Sequence, residues 1–108
     1  MKKDVITEFV KIETLQTTTD DQLISKAEII IQFLQKQDGF IDAELVKSVE
    51  GNQWNFIYHI ENMEKLKIVG EKLRSEKLFD HIMPLIVPGS FAVSFYTSRE
   101  SWLCLCEA

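Results

Sequence analysis

Residues 40–60 read FIDAELVKSVEGNQWNFIYHI, and the two halves of this stretch alternate with a period of two. Ile41, Ala43, Leu45 and Val49 share one face of the first half, opposite Asp42, Glu44, Ser48 and Glu50. Trp54, Phe56, Tyr58 and Ile60 share a face of the second half, opposite Asn55, Ile57 and His59. Alternation of this kind predicts half-buried strands. Gly51-Asn52 between them tolerates positive φ and predicts the hairpin turn.

Working outward, each side of the hairpin carries a helical period. Upstream, Thr19 and Gln22 form a capping box with Asp20 and Asp21 in the first turn, where carboxylates complement the helix dipole. Leu23, Ala27, Ile30 and Leu34 continue as one stripe, and Gly39 is expected to close this helix through the left-handed conformation. Downstream, Asn62 is a fair N-cap for Leu66, Val69, Gly70 and Leu73. The stripe then resumes out of phase at Leu78, Phe79, Ile82 and Met83, which predicts a kink or break across residues 74–77. Pro84 and Pro88-Gly89 end the helical region.

The outermost segments alternate again, over Val5 to Ile12 and Phe91 to Thr97. The order is therefore βαββαβ. Right-handed crossovers leave few assemblies for it, and the expected one is the ferredoxin-like α+β fold. It has a four-stranded antiparallel sheet with both helices on one face. Residues 1–98 are expected to form this domain and 99–108 an apolar tail.

A sheet covered on one side leaves its other face open. The first strand is apolar on both faces, and the reading adopted turns Ile6, Val10, Ile12, Ile57 and Tyr96 outward. Thr7, Trp54 and Tyr58 then face the helices. So large an apolar face marks an association surface, so a homodimer through the open sheet face is expected.

The 108 residues carry 12 Lys plus Arg against 17 Asp plus Glu, a formal charge of −5. Scattered basic residues in an acidic chain do not suit a nucleic-acid or anionic-membrane partner. No apolar run approaches the ~20 residues that span a bilayer. The basic start leads straight into a strand pattern, so no signal peptide is expected and the location inferred is cytoplasmic. Cys104 and Cys106, one residue apart, are read as reduced thiols, too few for a disulfide framework or a closed metal site. No metal is expected.

The element order, the strand Trp54–Ile60 running into Asn62-Met63-Glu64-Lys65-Leu66, and the closing Met83-Pro84-Leu85-Ile86 resemble the dimeric α/β-barrel superfamily over residues 4–98. Its antibiotic-biosynthesis-monooxygenase type is the most similar. The resemblance implies a ligand cavity between sheet and helices, and cofactor-independent oxygenation or isomerisation of a hydrophobic aromatic or polyketide-like molecule. The heme-degrading branch uses an Asn, a Trp and a His that align with Phe9, Ile60 and Ile82, with His81 one residue, or ~100° of helix, out of place. Heme breakdown is not implied, and no cofactor is expected.

Cofactor-independent chemistry needs a base, donors for an enolate oxygen and a dry pocket. His81 and Tyr58 are the expected catalytic residues, and Trp54, Phe56, Thr7 and Phe9 the expected ligand-binding ones. Trp54, Phe56 and Tyr58 would equally arise as core aromatics, and His81 as a histidine facing the negative end of a helix. His59 is expected to form an interface hydrogen bond. The mixed charges of Glu71, Lys72, Arg74, Glu76 and Lys77 read as a solvated helix face. Asp42 and Glu44 read as charges protecting an edge strand. A non-catalytic ligand-binding or dimerisation module is the alternative function.

Overall fold

The computed structural model describes residues 4–105. Its elements run β1 (Ile6–Glu13), α1 (Asp20–Leu34), β2 (Phe40–Lys47), β3 (Gln53–Ile60), α2 (Met63–Ser75) and β4 (Ala92–Thr97). Two short 3₁₀ turns, Leu78–His81 and Met83–Leu85, lie between α2 and β4. The strands form one antiparallel sheet in the order β2-β3-β1-β4, so the α+β ferredoxin-like expectation holds.

Local chemistry accounts for the helix boundaries. Thr19 Oγ1 accepts from the Gln22 amide at 3.1 Å, and Gln22 Oε1 accepts from the Thr19 amide at 2.8 Å, which completes the capping box. Asn62 Oδ1 accepts from the Lys65 amide at 2.9 Å and starts α2. α1 ends earlier than expected, at Leu34, and tight turns carry the chain from there to Gly39. Gly39 (φ +92°) then redirects it into β2.

A Cβ at Gly39 would lie 2.6 Å from Lys65 Cδ and 3.0 Å from its Cβ. Both the dihedral and the space therefore demand glycine. Gly39→Ala is expected to destabilise the protein by roughly 1–3 kcal/mol, measurable as a fall in the urea midpoint.

The expected break after α2 is present. The helix stops at Ser75, and Lys77 takes the left-handed conformation (φ 52°). The turn rotates the next stripe, so that Leu78, Ile82 and Ile86 enter the core.

One expectation is reversed. Ile6, Val10 and Ile12 do not face outward; they are buried beneath the helices. Ile12 stands opposite Trp54, Val10 opposite Phe56 and Ile6 opposite Ile60, forming a core face two strands wide. Packing with α1 (Leu23, Ala27, Ile30, Leu34) and α2 (Leu66, Val69, Leu73) completes it. The physical reason is area: three β-branched side chains bury more apolar surface than Thr7 and Phe9 would. Thr7 and Phe9 consequently lie on the open face with Ile57 and Tyr96, whose outward placement stands.

β2 and β4 are the sheet edges, and Asp42 and Glu44 are exposed on β2 as edge-protecting charges. His59, also on the open face, meets Asp42 Oδ1 through Nδ1 at 2.6 Å, a contact within the chain.

Trp102, Leu103 and Leu105 in the tail are almost fully exposed. Cys104 is disulfide-bonded, which corrects the reduced-thiol expectation for that residue, and Cys106 lies outside the described residues. Among the described residues no helix is long and apolar enough to cross a membrane.

Candidate functional site

The parity of β1 that buries Ile6, Val10 and Ile12 also carries Glu8 inward, to 6% exposure. Glu8 stands opposite Tyr58 on β3 and Phe95 on β4. It lines a cavity of about 630 Å³ between the β1–β4 side of the sheet and α2. Leu66, Leu73, Phe79, Phe91, Val93 and Phe95 supply apolar walls, and Phe79 meets Phe91 edge-to-face with centroids 5.2 Å apart. The exposed side chains of Met63, Lys67, Glu71 and Arg74 border the mouth. Gly70 leaves space on α2, since a Cβ there would meet only Arg74 Nη1, at 3.5 Å.

Glu8 is the one buried carboxyl of the described core, and no ion pair joins it to a cation among the described residues. Burial disfavours its charged form and raises its pKa from 4.5 to about 7, although the Tyr58 hydroxyl pulls it partly down. Tyr58 is pushed upward in turn, by burial first and then by the adjacent carboxylate. The two groups are close enough to shift each other's titration. The Tyr58 hydroxyl nevertheless falls short of regular hydrogen-bond geometry, and so remains buried without a satisfied partner. A carboxyl poised near neutrality in an apolar cavity can accept or give a proton at physiological pH.

The expected site residues are dispersed. Tyr58 is beside the cavity's carboxyl but is not part of the lining; Trp54 and Phe56 are core aromatics. Trp54 Nε1 donates to Thr14 Oγ1 at 3.3 Å, and Lys47 Nζ lies 5.4 Å from its ring centroid. His81 is exposed on the 3₁₀ turn and does not line the cavity. Thr7 and Phe9 are on the opposite face of the sheet, so the expected placement of both toward the helices is corrected.

Ile60 and Ile82 are wholly buried in the core, and with Phe9 on the other face these three positions offer nothing to hold a heme. No group of three or more His, Cys, Asp or Glu suited to a metal occurs among the described residues.

Glu8 was absent from the expected site, although its signal is present in the sequence. In Ile6-Thr7-Glu8-Phe9-Val10-Lys11-Ile12 it is the one charge on the stripe of Ile6, Val10 and Ile12. A charge interrupting a buried stripe needs a reason.

A sheet in this order, with two helices on one face and a cavity beneath the second, is a ferredoxin-like α+β fold that several solved structures share. An oxygenase and monooxygenases are among the proteins that share it. SnoaB, a cofactor-independent oxygenase from Streptomyces nogalater, is similar with a TM-score of 0.76 and 13% identity, over 91% of this chain and 96% of that one. A monooxygenase from the gene ActVA-Orf6 of Streptomyces coelicolor, in complex with Nanaomycin D, has a TM-score of 0.74 and 17% identity over 94% of each chain. A putative antibiotic biosynthesis monooxygenase from Bordetella bronchiseptica has a TM-score of 0.74 and 10% identity, over 90% of this chain and 99% of that one. At such identities the likeness concerns the fold. No family model and no curated protein matches the sequence.

Proposed function

We propose that this protein is a small enzyme that binds a hydrophobic aromatic or polyketide-like molecule in the cavity between sheet and α2. There it carries out cofactor-independent oxygenation or isomerisation. The observation that carries this reading is the cavity itself: about 630 Å³, walled by leucine and phenylalanine, with one buried carboxyl at its base. That volume falls within the range of small-molecule sites. A bound apolar molecule filling this space would exclude water from Glu8, which strengthens the polar contact between them. The oxygenase and monooxygenases among proteins of this fold support the reaction class. Tyr58 contributes through Glu8, its neighbour across the strands. His81, exposed outside the cavity lining, is left without a role in the reaction.

A 2-naphthol titration followed by thermal unfolding tests the site. Ligand at a hundredfold excess over Kd should stabilise the native state by about 2.7 kcal/mol. Gly70→Phe places a ring in the cavity, where nothing but the end of Arg74 lies near the new Cβ. This variant is expected to lose the 2-naphthol shift, whereas Gly70→Ala retains it. The alanine variant should itself be more stable by about 1 kcal/mol, because glycine disfavours a helix interior. An unchanged shift in Gly70→Phe would remove the ligand from this cavity.

The second reading, a non-catalytic ligand-binding or dimerisation module, is favoured by the cavity's single buried polar lining group. Proton-transfer activity toward a bound ketone separates the two. For either reading we propose that two copies pair through the open sheet face that carries Phe9, Ile57 and Tyr96.

A further inference from the structure

We infer that Glu8 is the proton acceptor of the cavity, and that the molecule it serves is a weak carbon acid: an aromatic ketone deprotonated next to its carbonyl. The inference rests on the cavity being the ligand site. A carboxylate in the middle of a buried strand face is costly unless it is paired. Valine at this position would simply extend the stripe of Ile6, Val10 and Ile12.

Glu8 has no cation within ion-pair reach among the described residues, and what it faces is an apolar cavity. Its one polar neighbour across the sheet is Tyr58, whose buried hydroxyl lacks a satisfied partner. From α2, Lys67, Glu71 and Arg74 border the same cavity at its exposed rim. The β4 neighbour Phe95 and the 3₁₀-turn residue Phe79 bring no charge. A carboxylate so poorly solvated is a stronger base than one in water, and an apolar ring in the cavity would present its C–H bonds to it.

In the step itself, a Glu8 oxygen takes the proton from the carbon next to the ketone. The electron pair of that C–H bond moves to form the enolate, and Glu8 becomes the neutral acid. Once Glu8 has traded its proton for one from solvent, delivery of that solvent-derived proton to the same carbon gives isotope exchange. Return to a conjugated carbon moves the double bond. Neither route consumes an oxidant, and the enolate is the electron-rich species that an oxygenation starts from. Tyr58 is a positioning residue, because its hydroxyl acts on Glu8 rather than on the ketone.

The test uses 2-tetralone as the probe, with the full chain in D2O, and follows deuterium uptake at its activated carbon by proton NMR. Exchange should exceed the buffer rate, rise with pH and level off above about 7, where Glu8 is ionised. Glu8→Gln should lose roughly 100-fold or more of the catalysed rate while still binding 2-tetralone, and Glu8→Asp should recover part of it. Tyr58→Phe should keep exchange but move the inflection upward, since the hydroxyl lowers the Glu8 pKa. Exchange undiminished in Glu8→Gln overturns the inference, as does a wild-type rate no faster than buffer with the ketone bound. Should Glu8→Gln fail to fold, a wild-type profile flat from pH 5 to 9 overturns it equally. Failure of the wild type to bind the ketone brings down the cavity reading, and this inference with it.

Discussion

Glu8→Gln is expected to make the protein more stable than the wild type at pH 8 and to leave the two nearly equal at pH 4. The sign follows from where the proton resides. The Glu8 pKa is about 7 in the folded chain against an ordinary 4.5, with burial as the main cause. Below 4.5 both folded and unfolded chains hold the proton, and the group contributes no difference. Between 4.5 and 7 the unfolded chain releases it while the folded chain keeps it, so unfolding gains ground as pH rises.

Each unit of raised pKa corresponds to about 1.4 kcal/mol, so the full penalty approaches ~3 kcal/mol once pH exceeds 7. Glutamine is nearly the same shape and never ionises, so it escapes that loss. For a domain of this size the gain corresponds to a rise in Tm of roughly 10 °C or more at pH 8. Lys67 and Arg74 at the rim would reduce the effect if they reached the carboxylate, and Glu71 would enlarge it; all three are exposed and screened. Thermal unfolding of both proteins at pH 4, 6 and 8 measures it. A Tm difference that does not grow with pH would show that Glu8 ionises as an ordinary surface carboxylate does.

The same residue marks the boundary between what was legible in the sequence and what was not. Capping residues, the change of hydrophobic period and the out-of-phase stripe after Leu73 act over a few residues. They locate β1, α1, the β2–β3 hairpin, α2 and the break at Lys77 without reference to anything distant. Which face of β1 turns inward is a different kind of question. Ile6, Val10 and Ile12 compete with Val5, Thr7 and Phe9, and both faces alternate equally well.

The choice depends on register with Trp54, Phe56 and Ile60 across β3, a contact some 45 residues away in sequence. A shift of parity moves every side chain of the strand. It therefore put Thr7 and Phe9 in the expected cavity and left Glu8 unnoticed. Likewise, His81 falls two residues after Phe79 on a tight 3₁₀ turn. Phe79 lines the cavity and His81 does not, a distinction that depends on how the turn packs. The inward placement of Tyr58 was legible because its stripe with Trp54, Phe56 and Ile60 is the more apolar face of β3, opposite Asn55 and His59.

A protein with aspartate at Tyr96 is expected to sediment as a single protomer of 12.5 kDa, and the wild type as about twice that mass at micromolar concentration. The helix-free face of the sheet carries Phe9 and Ile57 on its two central strands and Tyr96 on the edge strand β4, with Thr7, Asn55 and His59 among them. Phe9 and Tyr96 meet edge-to-face at 5.3 Å, yet Tyr96 remains 56% exposed, so that pair is only half covered. Four strands of about eight residues present on the order of 500 Å² of sheet per copy, using ~4.8 Å between strands and ~3.3 Å per residue. Two such faces therefore approach the ~1,000 Å² that a specific association needs. Lys11 follows Phe9 on the same face of β1, and Asp42 and Glu44 stand on the opposite edge strand β2, with Glu44 beside Ile57, so charge flanks the apolar patch. A twofold axis would set each Tyr96 in the same environment, so one substitution buries two unpaired carboxylates. At roughly 3–5 kcal/mol for each uncompensated charge, the pair should weaken association by at least ~1,000-fold. Tyr96 points away from the cavity, so far-UV circular dichroism and the 2-naphthol shift should survive the change. A wild type that sediments as one protomer at tens of micromolar would sink the dimer. A Tyr96→Asp variant that stays paired would instead place the contact on another surface, with the exposed Trp102, Leu103 and Leu105 of the tail as the next apolar group to substitute.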